Sequence, residues 1–468
     1  MAKGIPEKLK SAGTKTDSVD EKQIRDKLKA DTQYEVLVRN VDPDVAVDIA
    51  EEYHGLAADH QDIRQYPNGS IAENVVGKVS MDGQGQFGFE AAGDDTLTGV
   101  DGRSTEDVSA DGQVIPGTLR DEVQSSDGKN VKLTLDLDLQ AFVQQKLEKA
   151  KKNSHAKAAE AVVLDVATGQ VLAMANTDTI DPNKDIDSQI KDGKDFENRA
   201  VSYPYEPGSV AKVITAAASL EEKITTPDEV HQVPGSIDMS GVTVNDAWPH
   251  GVEPFTTTGI FGKSSNVGTL MLADKLGQKT YAKYLNKFGI GEDTGIELPN
   301  ESTGLVPPEN KWSEGTFANL PIGQGMSWTT LQMASVYQTL GNNGERIEPR
   351  IIDEVTGEDG DSERAEPKKT QVVSPETART TVDMLRSVFQ EDPAGLQNGT
   401  AANASLDSYQ LSGKTGTAQK VDENTGGYSN SSYWITFAGV APADDPRFAV
   451  AIMLDEPTSG VNDDGTGG

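Results

Sequence analysis

The sequence predicts an α+β protein: an antiparallel sheet packed between helices, preceded by an elongated mixed α/β N-terminal region. Three observations carry this. The composition shifts at about Lys129, from Gly- and Asp-rich text to strongly periodic text. A strand, a helix and a hairpin follow one another over residues 131–174, and three alternating strands close the chain after several helices. Strands and helices in separate runs, without a regular βαβ repeat, favour an antiparallel sheet with helices on its faces.

Taken in order, residues 1–30 form a polar lead-in with a short helix through Ile24 and Leu28. Residues 34–38 alternate as a strand would, and Pro43 opens a helix through Val47 and Ala50. Residues 64–70 make a turn, 71–77 a short apolar segment, and 81–128 loops and short hairpins. Val131–Leu135 reads as a strand, Asp136 as the cap of a helix with Leu139, Phe142, Val143, Leu147 and Ala150 at helical spacing. Residues 161–165 and 170–174 flank the turn Thr168-Gly169 as a hairpin. Helices are predicted over 209–220, 281–288, 329–340 and 375–390, the last capped by Ser374 with Pro375 at its first position. Strands are predicted over 409–420, 432–440 and 448–454, and residues 355–370 read as a charged loop. Two domains follow, 1–128 without clustered catalytic residue types and 129–468 with them.

The 468 residues carry 42 Lys and Arg against 75 Asp and Glu, a formal net charge of −33. Such a surface repels phosphate, which argues against nucleic-acid binding. The absence of cysteine excludes disulfides, thiolate metal sites and cysteine nucleophiles. Five histidines, His54, His60, His155, His231 and His250, show no ligand spacing, and Asp181–Asp185 has Ile186 where a calcium loop needs glycine. No cofactor is expected. No run of about eighteen apolar residues is present, so the stretch reads as soluble, or as an ectodomain without its anchor.

Ser209 and Lys212 stand three residues apart at the head of an apolar helix, after the breakers Pro207 and Gly208. Positions i and i+3 are neighbours on a helix surface. A serine hydroxyl needs a base to become nucleophilic, and a desolvated lysine can be neutral enough to act as one. The spacing alone is weak: it also occurs at Ser126/Lys129, Ser154/Lys157 and Ser188/Lys191, none of which leads an apolar helix. Two further motifs raise its weight. Ser264-x-Asn266 is unique in the chain and offers a hydroxyl and a carboxamide to relay a proton and hold the lysine. Gly262-Lys263-Ser264 imitates a phosphate loop, but Thr257 occupies the required glycine position. Lys414-Thr415-Gly416 occurs once, on a strand whose alternation sends Lys414 and Gly416 to one face. Lys414 supplies charge for a substrate carboxylate, Thr415 and Thr417 supply hydroxyls, and Gly416 leaves the edge open to a peptide. The N–H groups of Ser209 and Thr417 are candidate oxyanion donors.

With SxxK, SxN and KTG in this order, the chain resembles the penicillin-binding protein and serine β-lactamase superfamily. Arg64-Gln-Tyr-Pro-Asn-Gly-Ser70, Leu133-Thr-Leu-Asp136 with Leu139-Gln140, Thr168-Gly-Gln-Val-Leu-Ala173, Pro321-Ile-Gly-Gln-Gly325 and Thr436-Phe-Ala-Gly-Val-Ala-Pro442 narrow the resemblance to class B penicillin-binding proteins, division-type, over residues 60–456. The resemblance implies a peptidoglycan D,D-transpeptidase of septal wall synthesis. Ser209 would attack the penultimate D-Ala carbonyl of a stem peptide, with Lys212 as base and Ser264 and Asn266 assisting. Lys414, Thr415, Gly416 and Thr417 would bind the carboxylate end. It also implies acylation by β-lactam antibiotics, docking of membrane division proteins by residues 1–128, and an extracytoplasmic location with a single-pass anchor outside this stretch. Three other readings stay open: a serine β-lactamase, a D,D-carboxypeptidase and a non-catalytic β-lactam sensor.

Overall fold

The late strands meet the early hairpin in one sheet. A computed structural model describes residues 1–13, 19–32, 34–59, 63–109, 113–239, 241–364, 366–392, 398–421 and 426–458, so that His60 and Gly468 lie outside the described residues. The chain divides into two compact units, Met1–Pro67 and Asn68–Gly468.

The first unit is built on helices α1 (Gly4–Ser11), α2 (Glu21–Leu28) and α3 (Pro43–Glu52), which bury Ile5, Leu9, Ile24 and Ile49 together. Asp20 caps α2 by accepting the Gln23 N–H, and Pro43 opens α3 as its sequence predicts. The strand expected over 34–38 does not form. Leu37 and Val38 pack on the small core, and Lys27 Nζ donates to the carbonyls of Val36 and Leu37 at 2.8 and 3.1 Å. A lysine thus satisfies backbone acceptors that a neighbouring strand would otherwise take.

In the second unit, the described residues of 68–128 form short turns and helices plus two two-stranded ribbons, Lys78–Val79 with Gly85–Phe87 and β1 (Arg103–Thr105) with β2 (Arg120–Val123). Val75 and Phe89 enter the main core. Gln144 accepts the Ala72 N–H at 3.2 Å and donates to the Ser70 carbonyl at 2.9 Å. The predicted strand near 131, β3 (Asn130–Leu133), joins a side sheet with Ile352–Thr356 and Ser362–Glu363. Part of the expected 355–370 loop is therefore strand: Val355 and Thr356 pair with Glu363 and Ser362 on one side and with Val131 and Asn130, some 220 positions earlier, on the other, beyond the reach of local pattern.

After α4 (Leu137–Ser154), capped by Asp136, the hairpin β4 (Ala158–Asp165) and β5 (Val171–Asn176) leads to α5 (Lys212–Glu221). Helices α6 (Asn266–Leu276), α7 (Gln278–Lys287), α8 (Thr330–Gly341) and α9 (Pro375–Met384) follow, then β6 (Ser412–Val421), β7 (Tyr428–Ala441) and β8 (Phe448–Asp455). The sheet runs β6-β7-β8-β4-β5, antiparallel throughout. Side chains alternate between its faces: Ala159 and Ala161 meet Leu147 of α4, while Val162, Leu164 and Met453 share a core with Met333, Val336 and Tyr337 of α8. No helix among the described residues is long and apolar enough to cross a membrane. The edge strand β6 and the start of α5 lie side by side, and there the three motifs meet.

Candidate active site

Ser209 lies in a 3₁₀ turn, Gly208–Ala211, that runs straight into α5. Gly208 has φ +63° and donates its N–H to the Gly323 carbonyl at 2.9 Å. A Cβ on Gly208 would stand 2.8 Å from the Thr417 carbonyl oxygen, so only glycine lets the turn close on β6. Tyr337 Oη holds the turn from beneath by donating to the Val210 carbonyl at 2.9 Å. Ser209 keeps partial exposure while Val210, Ala211 and Lys212 are buried.

Lys212 Nζ donates to the Ser264 carbonyl at 2.7 Å, Ser264 Oγ at 3.2 Å and Asn266 Oδ1 at 2.7 Å. These three acceptors carry no formal charge. Burial therefore prevails and lowers the Lys212 pKa to about 7, against the opposing pull of the Asp246 carboxylate. Near neutrality a large share of Lys212 is the free amine that a general base must be.

Ser264 adopts a left-handed conformation, φ +64°, which is strained for a residue with a Cβ. Ser265 anchors the turn: its N–H reaches the Ile260 carbonyl at 2.8 Å, and its hydroxyl caps α6 by accepting the Gly268 N–H at 2.8 Å. Both ends of the Asn266 amide are used, since Nδ2 donates to the Asn245 carbonyl at 2.9 Å.

On β6, Lys414 and Gly416 are buried while Thr415 and Thr417 are half-buried, in strict alternation. Lys414 Nζ donates to the Thr415 carbonyl at 3.0 Å, and burial together with the Lys212 charge holds its pKa well below the ordinary lysine value. A Cβ on Gly416 would lie 2.3 Å from Thr436 Oγ1 and 3.1 Å from the Pro207 carbonyl oxygen. The missing side chain thus makes room for the Ser209 turn.

The sequence reading passed over several neighbours. Thr400 Oγ1 lies 2.7 Å from Thr415 Oγ1. Glu206 Oε1 accepts from the Gly325 N–H and from Tyr428 Oη, each at 3.1 Å, and burial raises its pKa. Asp246 takes the Ser265 hydroxyl at 2.7 Å. Its one sequence signal is an acid followed four residues later by His250. In the Asp181–Asp185 segment Lys184 Nζ lies 3.0 Å from Asp181 Oδ2. Among the described residues no group of three or more His, Asp or Glu side chains could hold a metal.

A sheet packed between helices, with a serine turn, a buried lysine and a lysine-bearing edge strand converging, defines the active-serine, penicillin-recognising class of proteins. Residues 159–467 match the penicillin binding protein transpeptidase domain, and residues 5–133 the penicillin-binding protein dimerisation domain. The chain belongs to the class B penicillin-binding proteins. It is 52% identical over 439 residues to penicillin-binding protein PbpB of Mycolicibacterium smegmatis, covering 94% of this chain and 67% of that one. It is 33% identical over 430 residues to peptidoglycan D,D-transpeptidase FtsI of Escherichia coli, covering 91% and 68%. Among solved structures, penicillin binding protein 3 of Mycobacterium tuberculosis in its apo form superposes with a TM-score of 0.79 at 51% identity, covering 87% of each chain. That protein has also been solved in complex with aztreonam and with ampicillin.

Proposed function

We propose that this chain is a peptidoglycan D,D-transpeptidase of septal wall synthesis, working through an acyl-enzyme on Ser209. One observation carries the reading: Lys212, fully buried and lowered to about 7, is held by Ser264 and Asn266 one turn after Ser209. In the proposed first half-reaction the Lys212 amine takes the Ser209 proton and Oγ bonds to the penultimate D-Ala carbonyl carbon. The N–H groups of Ser209 and Thr417 receive the oxyanion, each donor contributing roughly 3 kcal/mol. Collapse breaks the peptide C–N bond, and the leaving nitrogen takes the proton from Lys212 by way of Ser264, releasing terminal D-Ala. In the second half, the amine of a neighbouring stem peptide attacks the ester, Lys212 accepts its proton, and Oγ regains a proton as the cross-link forms.

The substrate carboxylate is read as lying against Thr415, Gly416 and Thr417. Its arrival would restore the charge that burial denies Lys414. β-Lactams, which the related protein of known structure binds, would acylate Ser209 in the same way. Residues 1–128, which hold none of the three motifs, are proposed to dock membrane division proteins on the extracytoplasmic side. Deleting them is expected to abolish partner capture, and undiminished capture would refute that role.

The test of the enzyme is intact mass after benzylpenicillin, with peptide mapping. A stoichiometric adduct on Ser209, absent from Ser209→Ala, together with D-Ala release from a stem-peptide analogue, is the expected result. Continuous penicillin hydrolysis would make the protein a β-lactamase, and labelling without D-Ala release would make it a sensor.

A further inference from the structure

Against the SxN turn a carboxylate and an imidazole are buried together. Asp246 follows the strand Val242–Asn245, and neither its side chain nor that of His250 has appreciable solvent exposure. Asp246 Oδ2 accepts from Ser265 Oγ at 2.7 Å and lies 3.0 Å from His250 Nε2, while Oδ1 accepts the Val267 N–H at 3.0 Å. The pattern interleaves with the one around Lys212: Ser264 and Asn266 bond Lys212, and Ser265 and Val267 bond Asp246. The preceding residue, Asn245, uses its carbonyl to orient the Asn266 amide, so that Oδ1 faces Lys212.

We infer that Asp246, steadied by His250, is a positioning residue that holds Ser264 and Asn266 in place around Lys212 and sets a buried carboxylate against them. The inference rests on the reading of Ser209 as nucleophile and Lys212 as its base. Two physical needs point to it. The left-handed Ser264 requires bonds from outside its own turn, and Asp246 gives two to its chain neighbours. Lys212 otherwise has neutral acceptors only, so Asp246 is the anion that opposes its desolvation. The other charged or titratable groups in this chain of contacts are Lys414, whose pKa is lowered by burial and by the Lys212 charge, and His250, whose Nδ1 has no partner among the described residues. Trp248 stacks on His250 at 5.2 Å and carries the Lys263 ammonium 4.6 Å from its ring centroid.

The experiment measures the acylation rate of the full chain by a fluorescent penicillin from pH 5 to 9, for wild type, Asp246→Asn and Ser265→Ala. Asparagine keeps the shape and an acceptor for Val267 but removes the charge. Its rate profile is expected to inflect roughly one pH unit lower than wild type, because loss of a nearby anion favours the free amine. Ser265→Ala keeps the charge and loses one charge-assisted hydrogen bond, so its plateau is expected to fall about ten-fold with the inflection unmoved. A purely structural cap would move the plateau in both variants and the inflection in neither, and that result overturns the inference. If Asp246→Asn does not fold, Ser265→Ala decides: an undiminished plateau refutes the proposed hold on Ser264 and Asn266. A wild-type profile with no inflection near neutrality would instead remove Lys212 as the base, and this inference with it.

Discussion

Lys212 is a residue whose environment outweighs its type. An ammonium with three hydrogen-bond acceptors would ordinarily stay charged, but full burial costs the charged form more than neutral acceptors return, and the pKa falls to about 7. Replacing Lys212 with arginine tests this, because a guanidinium stays protonated across the working range. Acylation by penicillin is expected to drop by roughly 10²–10⁴-fold and to lose its rise through neutrality, as followed by stopped-flow fluorescence. Glu73 shows the converse. It is 2% exposed, its Oε1 has no partner among the described residues, and burial raises its pKa to about 8. The folded state then holds this proton more tightly than the unfolded chain. Stability is greatest below about 4.5 and falls as pH rises towards about 8. Glu73→Gln is expected to flatten that slope and, at pH 9, to melt a few degrees above wild type by calorimetry. Ser209, Lys212, Ser264, Asn266 and the Lys414 strand could be read from the sequence because each belongs to a short motif with fixed spacing. Asp246 and Glu206 could not, since they act through contacts with residues 19 and 119 positions away.

Among the elements, helices were the most legible and pairing the least. The periodic runs leading to α4, α8 and α9 each carry a local cap, at Asp136, Thr329 and Ser374, so start and face are both written in the text. Strand alternation gives the two faces of β6 but not its neighbours, and pattern alone cannot tell that β3 pairs with Ile352–Thr356 or that residues 34–38 join no strand among the described residues. The contact between β6 and the serine turn is likewise invisible in sequence, although its requirement for glycine can be tested. Gly416→Ala would drive a methyl towards Thr436 Oγ1 and the Pro207 carbonyl. Overpacking of this kind costs roughly 1–3 kcal/mol, and here part of it is relieved by lifting Ser209 away from β6. Acylation should slow at least about ten-fold while far-UV circular dichroism stays that of the wild type. An unchanged rate would mean that the turn and strand need not meet so closely.

At the scale of the whole molecule, two boundaries mark different physical facts. The composition shift at Lys129 marks where sheet-forming text begins, whereas contacts divide the chain after Pro67. The residues between them are mostly polar, and the few apolar ones that matter, Val75 and Phe89, leave no periodic trace although both are buried in the main core. A chain of residues 68–468 keeps that burial. A chain of residues 129–468 loses it, worth roughly 3–6 kcal/mol for the two side chains. It also strips the buried Gln144 amide of its bonds to Ala72 and Ser70, which costs about 1–3 kcal/mol more. Such a loss is a large share of the margin by which a folded protein exceeds its unfolded chain. The 68–468 chain is therefore expected to take one penicillin per molecule and to melt cooperatively within a few degrees of the main transition of the full chain. The 129–468 chain should melt well below it or fail to fold. Equal melting temperatures for the two shortened chains would show that the transpeptidase core closes without Val75 and Phe89, and would put the working boundary at residue 128.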